Sequence, residues 1–253
     1  MIESLFSLKG KVALVTGSSR GLGQGIAVGL AKAGADIIGV SSGNSKSDTK
    51  ELVEGSGSKY YELTVDLTDP EAAKQLASQA TLLTGNVDIL VNNAGIIRRN
   101  PVTEHADEDW ESVININQNS VFYLSREIGK HMLERGSGKI INIASMLSFQ
   151  GGLTVPGYTA SKHAVAGITK SLANEWASKG LNVNAIAPGY FATDNTAPIR
   201  ENQERKSSIE ARIPQGRWGT PEDLQGAAIF LASDAANYLN GHILCVDGGW
   251  MSS

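Results

Sequence analysis

The chain has 253 residues, of which 41% are hydrophobic and 19% are charged, and its formal net charge is −4. This length accommodates one domain, or at most two small ones, with a sizeable core. The mildly negative charge argues against binding to a nucleic-acid backbone, which requires clustered lysine and arginine. A membrane span is not expected either, since no apolar run approaches the roughly 20 residues that such a helix needs.

The N-terminal stretch MIESLFSLKGK carries an early acidic residue and no long apolar core, unlike a secretory signal. The single cysteine, Cys245, excludes an internal disulfide, and the apolar run HILCVD favours a buried structural thiol. The histidines are scattered and lack the spacing of metal ligands; they are His105, His131, His163 and His242. We therefore predict a cytoplasmic protein without a metal.

Short β-rich segments alternate with helical segments along almost the whole chain. The predicted strands cover residues 11–17, 36–41, 59–67, 87–95, 139–145, 181–189 and 242–249. Helices are predicted at 25–34, 70–83, 107–135 and 221–233, and another carries the stretch GYTASKHAVAG at 157–167. The remaining segment, 190–213, is polar and is predicted to be irregular.

Apolar strands separated by helices indicate a parallel sheet that is covered on both faces. We therefore predict an α/β fold, namely a single-domain Rossmann-type doubly wound parallel sheet with helices on both faces, over residues 1–253. Ligands of such sheets bind beyond the carboxyl ends of the strands. Functional side chains should accordingly follow directly after strands.

A glycine-rich turn, TGSSRGLG at 16–23, joins the first strand to the first helix. Gly17 permits a tight turn, Gly21 lets a pyrophosphate approach the backbone, and Gly23 allows close packing of helix against strand. The free N–H groups at the helix N-terminus favour phosphate. The turn therefore predicts a dinucleotide site, although its spacing is GxxxGxG instead of GxGxxG.

Four further motifs follow in order: NNAG at 92–95, Ser145, YTASK at 158–162 and PG at 188–189. Together with the glycine spacing, they resemble the short-chain dehydrogenase/reductase family over nearly the whole chain. The resemblance implies an NAD(P)-dependent alcohol dehydrogenase or ketone reductase that acts on CH–OH groups. It also implies a homotetramer, joined through the long central helices and the C-terminal strand region.

The resemblance assigns the catalytic roles to four residues. Tyr158 would exchange a proton with the substrate oxygen, and Ser145 would donate a hydrogen bond to that oxygen. Lys162 would hold the nicotinamide ribose, and Asn117 would support a water relay to it. Hydride would pass directly between nicotinamide and carbonyl carbon, without a metal.

The spacing of Tyr158 and Lys162 carries a physical argument of its own. Helical residues four apart share a face, and a neighbouring cation lowers a pKa by roughly 1–3 units. A phenol with a pKa of about 10 needs a shift of about three units to reach neutrality. We expect Lys162 and the positive charge of an oxidised nicotinamide ring to supply that shift together.

The resemblance also implies a set of cofactor contacts after the strands. Asp66 is expected to bind the adenine amino group, residues 93–95 the adenosine ribose, and residues 189–193 the nicotinamide amide. The full set is Gly17, Ser19, Arg20, Gly21, Leu22, Gly23, Ser41, Asp66, Leu67, Asn93, Ala94, Gly95, Pro188, Gly189, Phe191 and Thr193, with Tyr158 and Lys162.

The end of the second strand, VSSGN, bears on the choice of cofactor. It contains neither the acid that would exclude a 2′-phosphate nor an arginine that would bind one. Arg20 could meet a 2′-phosphate or point into solvent, and both interpretations stay open. Because no second cation stands at 41–43, NAD(H) is favoured, with NADP(H) as the alternative.

The stretches NNAGIIRR, ASMLSFQGG and NAIAPGYFATDNT resemble the sugar-acid branch of the family, so a keto or hydroxy sugar acid is the predicted small-molecule substrate. Arg98 or Arg99 would bind its carboxylate in a bidentate contact. Gln150 and Asn195 are candidates for sugar hydroxyls, and 190–213 for a mobile lid. Three alternatives stay open: gluconate 5-dehydrogenase, a 3-oxoacyl carrier-protein reductase, and a nicotinamide-sensing scaffold.

Overall fold

Seven parallel strands form one sheet in a computed structural model that describes residues 2–43 and 47–253. The strands are β1 (Val12–Thr16), β2 (Asp36–Ser41), β3 (Tyr60–Thr64), β4 (Ile89–Asn92), β5 (Gly138–Ile143), β6 (Leu181–Pro188) and β7 (Ile243–Val246). Their order across the sheet is β3-β2-β1-β4-β5-β6-β7, and every neighbouring pair is parallel. The predicted fold class is confirmed.

Helices cover both faces of the sheet. They are α1 (Ile2–Phe6), α2 (Gly21–Lys32), α3 (Thr49–Glu54), α4 (Pro70–Thr84), α5 (Asp107–Ile114), α6 (Ser120–Arg135), α7 (Pro156–Trp176), α8 (Ala197–Glu201), α9 (Gln203–Arg212) and α10 (Gln225–Ala232). Local sequence fixes several ends: the Asp69 side chain caps α4 by accepting from Glu71 N, and Gly136 ends α6 in the left-handed region. Among the helices in the described ranges, none has the length and apolar character needed to cross a membrane.

The core lies in two layers, one on each side of the sheet. Along β1, Ala13 and Val15 face a cluster built with α2 and α10, whereas Leu14 faces a cluster built with α4, α6 and α7. Successive strand side chains point to opposite faces, which explains why every position of this strand is apolar or small. The two layers together hold the carboxyl ends of β1, β4, β5 and β6 at one rim.

The segment predicted to be irregular, 190–213, contains two helices, α8 and α9, so that prediction is wrong. The Asn202 side chain caps α9 by accepting from Arg205 N at 2.9 Å. Ile209 and Ile213 are buried in a cluster with Trp218 and Trp250. These contacts come from the C-terminal part of the chain, so the polar composition of the segment alone did not indicate an ordered structure.

Two further predictions need correction. The helix predicted over 107–135 is interrupted by a π-helical turn at Asn115–Asn119, between α5 and α6. Cys245, predicted to be buried, is exposed. The physical reason is that β7 is the edge strand of the sheet, so no further strand covers it within the chain.

Candidate active site

Ser145, Tyr158 and Lys162 meet at the carboxyl ends of the central strands. Ser145 lies two residues beyond β5, and α7 carries the other two residues on its first turns. Ser148 ties the two elements together: its hydroxyl accepts from Ser145 N at 3.3 Å and donates to the Lys162 carbonyl at 2.7 Å. The sequence order strand, turn and helix therefore brings the three side chains to one place.

The Lys162 ammonium is buried, with only 4% of the residue exposed. It donates a hydrogen bond to the Ile143 carbonyl at 2.6 Å and lies 5.5 Å from the centre of the Tyr158 ring. Burial disfavours the charged form and lowers the pKa of Lys162 to about 8. Lys162 is thus held rigidly beside the phenol, and it can lose its proton near physiological pH.

Tyr158 is half-buried as a whole, and desolvation of its hydroxyl raises the pKa of this phenol. Hydrogen bonding with the Ser145 side chain and the positive charge of Arg99 act in the opposite direction but do not reverse the shift. The chain by itself therefore leaves the pKa of Tyr158 above its ordinary value, contrary to the lowering that the spacing of Tyr158 and Lys162 predicts. Acidification of this phenol requires a further positive charge.

Asn117 lies in the π-helical turn between α5 and α6 and is fully buried. Its side-chain oxygen accepts from Ile96 N at 2.8 Å, and its amide donates to the Ile96 carbonyl at 2.9 Å and to Ser161 Oγ at 3.2 Å. π-Turns of this kind occur frequently at functional sites. In this structure the side chain holds the NNAG loop against α7, and its role in a water relay stays a prediction.

The glycine-rich turn packs against the NNAG loop. Gly17 adopts φ +65°, in the left-handed region that favours glycine. A Cβ atom at Gly23 would collide with the Gly17 carbonyl and the Asn93 side chain, so only glycine fits this position. The Asn93 amide donates to the Thr16 carbonyl at 2.9 Å and the Gly17 carbonyl at 3.2 Å. The loop is therefore preshaped before any ligand binds.

The N-terminus of α2 fits a dinucleotide pyrophosphate. Arg20 occupies the N-cap position and makes no side-chain capping bond, so the N-cap side chain does not satisfy the first N–H groups of α2. Such a helix end attracts phosphate through its free donors and its partial positive charge. The turn residues Ser18, Ser19 and Arg20 carry no negative charge that would oppose a phosphate.

Among the other predicted cofactor residues, Thr193 lies near this helix end. Thr193 lies over the glycine turn, with its methyl group 3.6 Å from where a Cβ at Gly21 would stand. Arg20 of the glycine-rich turn forms an ion pair of 3.0 Å with Asp194, the residue that follows Thr193. Asp66 is exposed and accepts from the Thr68 N–H and hydroxyl, whereas Phe191 is buried in the core. Asn44 of the stretch VSSGN lies outside the described residues.

A cavity of about 370 Å³ opens beside Ser145 and Tyr158. Arg99, Gln150 and Asn195 line it, as the sequence predicts for substrate contacts. Arg98 does not belong to the lining, and it pairs instead with Asp109 at 3.1 Å. The structure therefore distinguishes between the two adjacent arginines.

Arg205, Arg212 and Trp250 also line the cavity and were not among the sequence candidates, whereas Tyr190 falls within the predicted stretch 189–193. Arg205 and Arg212 come from α9, which was predicted to be irregular. Their spacing of seven residues, or two helical turns, is the signal that places both on one face of a helix. Trp250 holds the cavity wall by donating to Gln150 Oε1 at 3.2 Å.

Within residues 2–43 and 47–253, no group of three or more histidine, cysteine or acidic side chains is arranged to hold a metal ion. The side chains that meet at the site offer a phenol, a buried amine, a hydroxyl and several guanidinium groups. These groups suit proton transfer to the carbonyl oxygen of a substrate. The carbonyl carbon of that substrate would exchange a hydride with a dinucleotide.

Comparisons with known proteins agree with this geometry. A family model described as enoyl-(acyl carrier protein) reductase matches residues 17–251. A 2-dehydro-3-deoxy-D-gluconate 5-dehydrogenase from Bacillus subtilis is 58% identical over 251 residues, which cover 99% of this chain and 98% of the relative.

Two solved structures have the same fold. One, from Agrobacterium tumefaciens, is described as a 2-deoxy-D-gluconate 3-dehydrogenase with bound NADP; it is 50% identical, has a TM-score of 0.93, and the match covers 98% of this chain and 99% of that one. The other is a gluconate 5-dehydrogenase from Burkholderia cenocepacia in complex with NADP and tartrate, 37% identical, with a TM-score of 0.95 and 100% coverage of both chains. The fold, the motif positions and these full-length matches place the chain in the short-chain dehydrogenase/reductase family, as an oxidoreductase that acts on CH–OH groups.

Proposed function

We propose that the protein is a sugar-acid dehydrogenase that interconverts 2,5-diketo-3-deoxygluconate and 2-keto-3-deoxygluconate with a nicotinamide cofactor. The observation that carries this proposal is the position of Ser145 and Tyr158 at the wall of a cavity that is also lined by arginines. The relatives named for 2-dehydro-3-deoxy-D-gluconate and gluconate dehydrogenation support the same substrate class. Oxidation of 2-deoxygluconate at C3 is also a hydride transfer between a CH–OH group and the nicotinamide, at another carbon of the sugar acid.

In the reducing direction, Ser145 and Tyr158 bind the carbonyl oxygen of the substrate, and the Tyr158 hydroxyl transfers its proton to that oxygen. The nicotinamide, when bound, supplies the hydride that the carbonyl carbon accepts. Lys162 keeps positive charge beside the phenol and compensates the negative charge left on it. In the oxidising direction the positive nicotinamide ring adds the charge that the chain alone lacks.

Two of the three alternatives are less well supported. The cavity of about 370 Å³ suits a small polar acid, and its arginines favour a carboxylate over an acyl chain on a carrier protein. A scaffold without turnover would not need Ser145, Tyr158 and Lys162 to converge. Gluconate 5-dehydrogenation differs only in the substituents of the substrate and is separated by the assay below.

The direct test is a comparison of substrates with purified protein. With NADH or NADPH present, 2,5-diketo-3-deoxygluconate is expected to be reduced with a kcat/KM at least about tenfold above that of 5-ketogluconate, measured by loss of nicotinamide absorbance. The expected reason is that a hydroxyl at C3 has to be accommodated in one substrate and not in the other. Equal or reversed values would assign gluconate 5-dehydrogenation, and no turnover of either acid would refute the proposal.

For the cofactor, we propose that NADP(H) is accepted as well as NAD(H). At the described end of β2, Ser41, Ser42 and Gly43 carry no acid that would repel a 2′-phosphate. Arg20 is exposed and is held near the turn by Asp194, within reach of the adenosine side of a dinucleotide. Relatives solved with NADP support this proposal, and the NAD preference predicted from sequence stays a prediction.

The substitution Arg20→Ala tests this role. It is expected to raise the KM for NADPH about tenfold or more, since charge-assisted contacts with a phosphate are lost, while the KM for NADH stays within about twofold. Lys32→Ala, at the other end of α2, is the control and should change neither value. An equal loss for both cofactors would show that Arg20 does not contact the 2′-phosphate.

We further propose a cytoplasmic homotetramer, as the family resemblance implies. The edge strand β7 exposes Cys245, and α6 exposes Phe122, so both elements offer surface to another copy. Movement of 190–213 as a lid is also part of the proposal. The burial of Ile209 and Ile213 restricts such movement to a shift of α9 as a unit.

A further inference from the structure

The arginines of the cavity differ from the other arginines of the chain in their partners. Five arginines outside the cavity pair with carboxylates: Arg20, Arg98, Arg126, Arg135 and Arg217. Arg200 donates to the Thr193 carbonyl. In contrast, Arg99, Arg205 and Arg212 have no carboxylate partner among the residues that the structure describes, although the sequence contains 26 acidic residues.

The cavity that these arginines line contains no aspartate or glutamate among its described lining residues. Arg99 and Arg205 lie close enough for the charge of Arg205, together with partial burial, to lower the pKa of Arg99. Two like charges repel each other, and a protein with spare acidic residues would ordinarily neutralise them. Their persistence indicates that an anionic ligand completes the site.

Arg99 and Tyr158 line the same cavity, whose volume is about 370 Å³. Arg99 is near enough to lower the pKa of the Tyr158 phenol. In a keto sugar acid, four carbon–carbon bonds separate the carboxylate carbon from a carbonyl at C5, a span of roughly 5 Å. One molecule can therefore place its reacting oxygen at Tyr158 and its carboxylate at the arginines.

We propose that Arg205 and Arg99 together form the carboxylate-binding subsite of this enzyme. This inference rests on the proposed function and assigns its substrate specificity to α9. Arg99 belongs to the loop after β4 and Arg205 to the first turn of α9, so two separate elements each contribute a guanidinium group to the lining of one cavity. Each can donate two parallel hydrogen bonds to a carboxylate.

Contacts around α9 hold Arg205 in place. Asn202 caps the helix through the Arg205 N–H, and Ile209 packs on the cluster that contains Trp250. Arg212 stacks on the Trp250 ring, 3.9 Å from its centre, so it is fixed by an aromatic contact and is free of carboxylate partners in the described chain. Arg212 adds positive potential, and we assign the direct contact to Arg205.

The test compares a keto sugar acid with its uncharged carboxamide in wild type and in Arg205→Gln. For the acid, kcat/KM is expected to fall about tenfold to a hundredfold, mainly through KM, because a charge-assisted hydrogen bond is lost. For the carboxamide, which carries no charge, kcat/KM should change by less than about threefold. Arg205→Lys should recover part of the preference for the acid, because it keeps the charge and loses the bidentate geometry.

Lys206→Gln is the matched control. Lys206 is the next residue on α9, pairs with Glu210 at 3.8 Å and does not line the cavity, so both substrates should keep their wild-type kinetics. Equal falls for acid and carboxamide in Arg205→Gln, or no fall for either, would overturn the inference. A different result would refute the proposed function, namely that the wild-type enzyme does not reduce the keto sugar acid. The inference alone fails if the wild-type enzyme prefers the acid to the carboxamide and Arg205→Gln keeps that preference.

Discussion

Replacement of Tyr158 by phenylalanine is expected to lower kcat by at least about a thousandfold while the cofactor still binds. Tyr158 lines the cavity, the Ser145 side chain influences the pKa of its hydroxyl, and proton transfer by such a group contributes roughly 10²–10⁴-fold to a rate. Phenylalanine keeps the ring and its packing beside Lys162. Turnover with a keto sugar acid and titration of cofactor fluorescence would measure the two effects.

The control for this substitution is Tyr238→Phe, since Tyr238 is fully exposed and is not part of the cavity lining. It should leave both kcat and the dissociation constant of the cofactor within about twofold of wild type. Retention of more than about a tenth of the wild-type kcat by Tyr158→Phe would remove the phenol from the mechanism. A large loss of cofactor affinity would assign it a binding role instead.

Replacement of Lys162 by methionine is expected to abolish turnover and, without cofactor, to stabilise the fold. The pKa of Lys162 is lowered from 10.5 to about 8 by burial, which corresponds to roughly 3 kcal/mol of unfavourable free energy when the amine is charged. Methionine removes this cost but leaves the Ile143 carbonyl without its donor, at about 1–2 kcal/mol. We expect a net gain of about 1–2 kcal/mol in the free energy of unfolding at pH 7.

The gain from Lys162→Met should depend on pH in a defined direction. Below about pH 8 the amine is charged in both states, so the full cost is present in wild type. Between about pH 8 and 10.5 the unfolded chain binds more protons than the folded chain, and wild type therefore gains stability as pH rises. Between pH 7 and about pH 9.5 wild type should gain about 2 kcal/mol of stability relative to Lys162→Met, so the advantage of the variant should disappear.

Urea unfolding of both proteins without cofactor would measure this difference. Lys170→Met is the control: it changes an exposed lysine of the same helix, so its effect should stay within about 0.5 kcal/mol at both pH values. A destabilised Lys162→Met variant would mean that the hydrogen bond to Ile143 outweighs the cost of burial. A stable variant with wild-type kcat would remove Lys162 from the catalytic set.

These expectations share one physical feature, a site that is stabilised by its ligand. The chain alone buries the amine of Lys162 and the phenol of Tyr158, leaves the arginines of the cavity without carboxylates, and leaves the N-terminus of α2 without a side-chain cap. Each feature is unfavourable or unsatisfied until a dinucleotide and an anion bind. Trade-offs of this kind between stability and activity are common at active sites.

The sequence by itself determined the fold class and the rim at which Ser145 and Tyr158 lie. These features depend on local patterns: apolar strands, a glycine where a Cβ cannot fit, and a helix that directly follows a strand. The sequence did not predict the π-helical turn at Asn115–Asn119 or the two helices within 190–213, because both depend on packing against distant parts of the chain.

Only the tertiary structure decided three properties of the site. Burial sets the direction of the pKa shift of Tyr158, and the spacing of Tyr158 and Lys162 along a helix cannot reveal how much water reaches the hydroxyl. The place of β7 at the sheet edge exposes Cys245. Arg99 and Arg205 are more than a hundred residues apart in the chain, and they line one cavity only because of where α9 packs. Their charges interact through space, so the spacing of the two residues along the sequence does not reveal this interaction.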